Sequence, residues 1–331
     1  MARAVTSAWP DMLAGVILES RRVVAAHTRH FLALSVLFLL PLSSLLVAAP
    51  SILFPSSAAA AISFSSSPSP ALLRFHHHHR RPSAPGVVAL YSSAALLLLL
   101  SASAAVSSSV HRGFYGRPVK LLPALRSLPA PLARLLLTLA AALLPLTALA
   151  LLLASLLILS LKALAVLRLP PSFSSFAYLL FVAVAILSLI ILQLNWSLAG
   201  AIATLESCWG FAPLRRSVDL IKGMRLASLC LHLFFATAIG LTLSGFSLVK
   251  SGRPEGGWRE VVPVVARTVF GSGITAVLLL CWMVTGAVLY MYCKALHGEL
   301  AGEIAEEFSS EYVFLPFDEH NVPHVVSVIH Q

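Results

Sequence analysis

Long uninterrupted apolar stretches alternate with short polar ones along most of this chain. Six of them are long enough to cross a hydrocarbon core of about 30 Å, which takes roughly 20 helical residues. They run near 31–54, 87–107, 132–161, 173–203, 226–249 and 264–293. None alternates with a period of two, and in lipid every backbone group must be satisfied inside the spanning element, so helices are expected rather than a closed barrel. The pattern predicts an all-α fold, a polytopic membrane helix bundle with about six transmembrane helices across residues 31–293. The second run is dense in leucine from Leu96 to Leu100 but dissolves into Ser and Ala by Ser107, which makes it the weakest of the six.

The flanking and connecting segments read differently. Over residues 1–30, Trp9, Met12, Leu13, Val16, Ile17, Val23 and Val24 share one side of a helical wheel, with Asp11, Arg22 and Arg29 opposite. This predicts an amphipathic helix in the membrane interface; a helix packed on the end of the bundle is the alternative. The segment lacks the apolar core and cleavage site of a signal peptide and is expected to be retained. Residues 55–86 are rich in Ser, Ala and Pro and read as a disordered loop. That loop holds His76, His77, His78 and His79, whose consecutive positions preset no coordination geometry. Pro170 and Pro171 close a short connection that makes spans three and four an antiparallel hairpin. Residues 294–331 predict an acidic helix bearing Glu299, Glu303, Glu306 and Glu307, followed by a tail that lies on the domain or hangs loose.

Composition agrees with lipid as the main solvent: 58% of residues are apolar and only 11% charged, too little polar surface for a soluble globule of 331 residues. The formal charge of +10 would raise nucleic acid in a soluble chain. Here the basic residues are scattered through short loops, so headgroup contact and orientation account for them, and no nucleic-acid partner is expected. With both termini cytoplasmic, that side collects fourteen of the 23 Lys and Arg residues and the other side keeps nine, which favours this orientation. A plasma membrane or an endomembrane is expected, and the sequence does not choose between them. Cys208, Cys230, Cys281 and Cys293 show no spacing that suggests a disulfide or a metal site.

The stretch from Gln193 to Arg225 is the most structured in its chemistry. Asn195, Ala199, Ile202 and Glu206 recur at spacings of four, three and four and would form one helical stripe facing protein. Gly210 suits a helix stop and Pro213 the first turn of the next helix, so a short cytoplasmic helix is predicted at 213–222, ended by Gly223 and lying flat at the surface. Glu206 stands at the C-terminal end of a span, where the helix dipole disfavours an anion, and is expected to pair with Arg215 or Arg216. Asp219 is placed to bridge to Arg215 or Lys222.

The pattern of Glu206, Gly210, Ala212, Leu214, Arg216, Ser217, Leu220, Lys222 and Gly223 resembles the signature of a family of uncharacterised plant six-span membrane proteins. That family is related to the membrane domain fused to some bacterial glycerophosphoryl diester phosphodiesterases. The resemblance implies architecture only, since no soluble phosphodiesterase domain accompanies these spans.

An enzyme would require paired carboxylates, a supported histidine or converging metal ligands. His232 is the one deeply placed histidine, and Asp318, His320 and His324 sit in a tail, so no enzyme activity, cofactor or metal is expected. A transporter or channel would show mid-membrane charges, broken helices and a repeated half. Gln193 and Asn195 could line a polar path, Pro41 and Pro145 could kink their spans, and Ala236, Gly240 and Ser244 form a small-residue stripe suited to close packing in the bundle or with a second copy. The chain reads as a membrane protein that binds lipids, a protein partner or a second copy in an organising role, with small-solute transport or conduction as the alternative.

Overall fold

The computed structural model describes residues 9–53, 85–116, 121–167, 171–248, 258–302, 312–314 and 325–327. Helices α1 (Trp9–Ala26), α2 (Thr28–Leu34), α3 (Leu40–Leu53), α4 (Pro85–Phe114), α5 (Leu121–Arg126), α6 (Pro129–Val166), α7 (Pro171–Asn195), α8 (Ala199–Leu205), α9 (Ala212–Leu220), α10 (Arg225–Leu248) and α11 (Trp258–Leu296) account for most of these. Six stretches are long and apolar enough to cross a membrane: Thr28–Pro50, Pro85–Phe114, Pro129–Leu164, Ser175–Leu205, Arg225–Phe246 and Val265–Leu296. The protein is therefore a multi-pass α-helical membrane protein. Most of the residue 55–86 loop with its four histidines, and Glu303, Glu306 and Glu307, lie outside the described residues.

Two features of the first two spans have clear causes. The first span contains a π-helical turn, Ser35–Leu39, two residues before Pro41. Proline lacks an N–H and clashes with the carbonyl four residues back, and a widened turn accommodates both. The second span does not fade at Ser107 but continues to Phe114. Its Ser and Ala residues are the packing face: Ala102, Ala104, Ala105, Ser107 and Ser109 are all buried. Small side chains let helices approach closely in lipid, where packing rather than water exclusion drives association.

α11 is the central element, packed against α1, α3, α4, α8, α9 and α10. The main core gathers at one end of the bundle. There Val16 and Val23 of α1, Phe31 of α2, Val106 and Val110 of α4, Ile202 of α8, Leu220 and Ile221 of α9 and Val284, Ala287, Val288, Leu289, Tyr290 and Met291 of α11 are all buried together. The N-terminal helix and the end of the last span thus meet at the same end, and α1 turns its Val16, Ser20 and Val23 face onto the bundle while Ile17 and Leu18 stay exposed. A second cluster of Leu39, Leu42, Ala102, Ala276 and Leu279 joins α3, α4 and α11.

α6 and α7 form the expected hairpin. Leu151, Leu152, Leu159, Leu179, Leu180 and Leu187 of that hairpin are exposed, an all-apolar surface suited to lipid tails. The stripe of Ala236, Gly240 and Ser244 is exposed on α10 and takes no part in the interior of the bundle. Beyond the bundle, β1 (Tyr312–Phe314) pairs antiparallel with β2 (Val325–Ser327), so part of the tail forms a small ribbon.

Candidate functional site

The fourth span is interrupted. α7 ends at Asn195 and α8 begins at Ala199, with Trp196, Ser197 and Leu198 forming a turn between them. Two ladder bonds are displaced. The Ser197 N–H takes the Leu194 carbonyl at 3.3 Å, and the Ala199 N–H takes the Trp196 carbonyl at 3.0 Å. This leaves the Leu198 N–H and the Asn195 carbonyl without their regular helical partners. Ser217 of α9 supplies both: its hydroxyl donates to the Asn195 carbonyl oxygen at 2.6 Å, and its oxygen accepts from the Leu198 N–H at 3.2 Å. Ser217 is fully buried. One serine thereby replaces both halves of a broken helical ladder, which satisfies the demand that buried backbone groups be paired.

The interruption splits the single helix expected here, yet Ala199 and Ile202 are buried and Asn195 and Glu206 half-buried, so all four positions face protein. The motif helix α9 packs against α6, α7, α8 and α11, with Leu214 buried among Ala141, Ala142 and Ala199. Polar groups gather beside the break. The Ser228 hydroxyl of α10 donates to the Ser197 hydroxyl at 3.3 Å, and Nδ1 of His232 lies 2.8 Å from the Ser228 carbonyl, so Nδ1 carries the proton in that bond. The Trp282 ring meets His232 edge-on at 6.3 Å. Asn195 is half-buried here, while Gln193 points outward from α7 and is exposed.

Past α8 the chain turns sharply. Ser207 and Gly210 take left-handed conformations, with φ of 58° and 72°. The Arg134 guanidinium of α6 donates to the Ser207 hydroxyl at 2.9 Å, and Pro213 occupies the first turn of α9. This turn sets Glu206 against three partners. The Tyr290 hydroxyl donates to its carboxylate at 2.8 Å, Nε of Arg216 lies at 3.4 Å and Nζ of Lys294 at 4.0 Å. Arg216 in turn hydrogen-bonds Glu299, just beyond α11. The Lys294 ammonium sits over the Tyr290 ring, 5.7 Å from its centroid.

Of the two candidate partners for Glu206, the structure selects Arg216. Arg215 is exposed one position away on the outer face of α9. Burial works against the charge on Arg216, but its hydrogen bond to Glu299 and the charges of Glu206 and Glu299 outweigh that and hold its pKa above the ordinary value. Asp219 pairs with Lys222 at 2.7 Å rather than with Arg215. Gly223 ends the motif with φ of 97°, a conformation that glycine alone adopts without strain.

Sequence reasoning missed Tyr290 and Lys294. They stand four residues apart on one face of α11, a pairing that hydropathy does not distinguish from the rest of an apolar span. It also missed Ser217 as the link across the break, although Ser217 belongs to the motif. Chemically, this arrangement is closed: each carboxylate meets a cation, and among the described residues no three His, Cys, Asp or Glu side chains converge as a metal site would require. It holds spans four, five and six and the motif helix in register.

The family model described as Domain of unknown function (DUF8558) matches residues 12–315, from within α1 to just past β1. The chain belongs to that family. No curated protein matches the chain, and no solved structure does.

Proposed function

We propose that this family member is an organising protein of the membrane, a helix bundle that binds lipids or a protein partner and moves no solute. The observation that carries this reading is the Glu206 tie: the charged groups around Glu206 are spent on one another, Glu206 on Arg216, Lys294 and Tyr290, and Arg216 on Glu299. A transporter needs polar groups that exchange partners with a solute, whereas these hold elements together. The outer face next to the tie has the composition of a headgroup layer. Trp209 and Phe211 are exposed beside the cations Arg215 and Lys222, the mixture of aromatic and basic residues found where a membrane meets water. In this reading the packed end faces the cytoplasm, in keeping with the surplus of Lys and Arg on that side.

One observation favours the transport alternative. The interrupted fourth span, with Ser197, Ser228 and His232 beside it, has the form that solute sites take in some transporters. Cysteine accessibility separates the two. In a chain freed of its four native cysteines, N195C and A212C are probed with a membrane-impermeant maleimide. The organising reading expects labelling at the exposed residue 212 from one side only and none at 195. Labelling of N195C would mean that water reaches the interruption, and transport would take first place.

A further inference from the structure

α1 and α2 meet in a bend at His27, whose backbone leaves the helical region at φ −123°, ψ 35°. An open cleft of about 590 Å³ sits on this bend, lined by Ala25, Ala26, His27, Thr28, Arg29, His30 and Ala33. The alanines leave the room, and the remaining lining is basic or hydroxylic. The end of α4 closes over the same place: Nε2 of His30 lies 2.9 Å from the Ser109 hydroxyl, and a Cβ on Gly113 would come within 3.2 Å of the His27 ring. His30 lies within electrostatic reach of both His27 and Arg112.

Three basic side chains, His27, Arg29 and His30, line the cleft, and Arg112 stands next to Gly113 at the end of α4 that closes over it. Glu19, the nearest acid before them on α1, is engaged by Arg22 at 3.3 Å. Arg29 and Arg112 have no carboxylate partner among the described residues. This is the opposite of the Glu206 tie at the same end of the molecule, where every charge is matched. Two guanidinium groups without a carboxylate partner leave positive charge that a bound anion would offset. Position adds a second constraint: the first apolar span begins at Thr28, so the cleft lies at the boundary of the hydrocarbon layer, the depth of lipid phosphates.

We propose that the cleft at the α1–α2 bend binds a phosphate group, presented by an acidic phospholipid of the surrounding leaflet, with Arg29 and Arg112 as its charged anchors and His27 and His30 as further donors. Guanidinium groups match phosphate with paired, charge-assisted hydrogen bonds, and the shallow opening at the lipid boundary suits a headgroup whose tails stay in the bilayer. The site adds to the organising role and does not depend on it: loss of the cleft leaves the Glu206 tie intact, and solute access at Asn195 leaves the cleft unchanged.

The test uses the full chain in detergent micelles, with binding of a fluorescent phosphatidate followed by anisotropy. Phosphatidylcholine and inorganic phosphate serve as competitors. The proposal expects phosphatidate to bind at least tenfold tighter than phosphatidylcholine, and R29Q/R112Q to weaken it by about tenfold or more. R29K/R112K should recover part of the loss, and R21Q, which removes an exposed cation elsewhere on α1, should leave binding unchanged. Competition by millimolar inorganic phosphate would support the phosphate site and identify its ligand as the free ion; no competition would identify the lipid. Equal binding of phosphatidylcholine, full binding by R29Q/R112Q, or an equal loss in R21Q would overturn the proposal.

Discussion

The Ser217 hydroxyl donates to the Asn195 carbonyl, 22 residues earlier in the chain, at 2.6 Å, and so binds the motif helix to the broken end of the fourth span. The same oxygen accepts from Leu198. Replacing Ser217 with Ala strands two backbone groups at a fully buried position. A loss of about 1–3 kcal/mol in unfolding free energy is expected, the usual cost of an unsatisfied buried polar group. Chemical unfolding in mixed micelles measures it, and an S217A variant as stable as the parent would show that the interruption needs no partner.

Gly223 and Gly210 both hold left-handed backbone, but their surroundings differ. A Cβ on Gly223 would meet Cδ2 of Leu296 at 2.9 Å, while one on Gly210 would meet open space. G210A should therefore cost only the backbone strain, about 1 kcal/mol, and G223A more than that. Adding L296A to G223A should return the steric part alone. Equal losses in the two glycine variants would place the constraint in the backbone rather than in the contact with α11.

The small-residue face of α4 gives a prediction about packing. Ala104 is buried with Ala203 and Leu135, so it separates three helices by one methyl group. A104L should destabilise the protein by about 1–3 kcal/mol through overpacking, whereas L90A, on the exposed part of the same helix, should change little. Unfolding midpoints of the two variants decide it; a neutral A104L would mean that the helices are not closely packed there.

The sequence carries the spans because each needs about 20 apolar residues in a row, a signal that local composition reports directly. It also carries the charge of Glu206 at a helix end, from which a cationic partner follows, and Arg216 is that partner. The break at residues 196–198 was not legible, because what permits it is Ser217, distant in sequence and brought near only by the turn at Gly210. Tyr290 and Lys294 were hidden for the same reason. The end of α4 misled because hydropathy records how a residue partitions and not how closely its small side chain lets a neighbour approach. The family match adds membership without chemistry, so the site rests on geometry.

The Asp219–Lys222 pair carries a pH dependence whose sign can be stated. The hydrogen bond from Lys222, followed by its charge, holds the Asp219 carboxyl below the usual carboxylate range. A carboxyl with a lowered folded-state pKa contributes stability above its unfolded value and loses it as pH falls through the folded one. The contribution is present at neutral pH and fades in acid, below about pH 4. D219N should therefore narrow the difference in unfolding midpoint between pH 7 and pH 3. Parallel curves for D219N and the parent would remove Asp219 from the account.

Glu206 and Arg216 stabilise the packed end of the bundle by acting on each other, and a double-mutant cycle measures that coupling. E206Q, R216Q and the double variant are unfolded chemically in mixed micelles. The Glu206 and Arg216 side chains are 18% and 36% exposed, so solvent weakens the pair below the full value of a buried one. Each single substitution should destabilise, and the double variant should lose less than their sum, with a coupling of about 1–2 kcal/mol. A coupling within about 0.3 kcal/mol of zero would contradict the account, because the two residues would then be neighbours without being a tie.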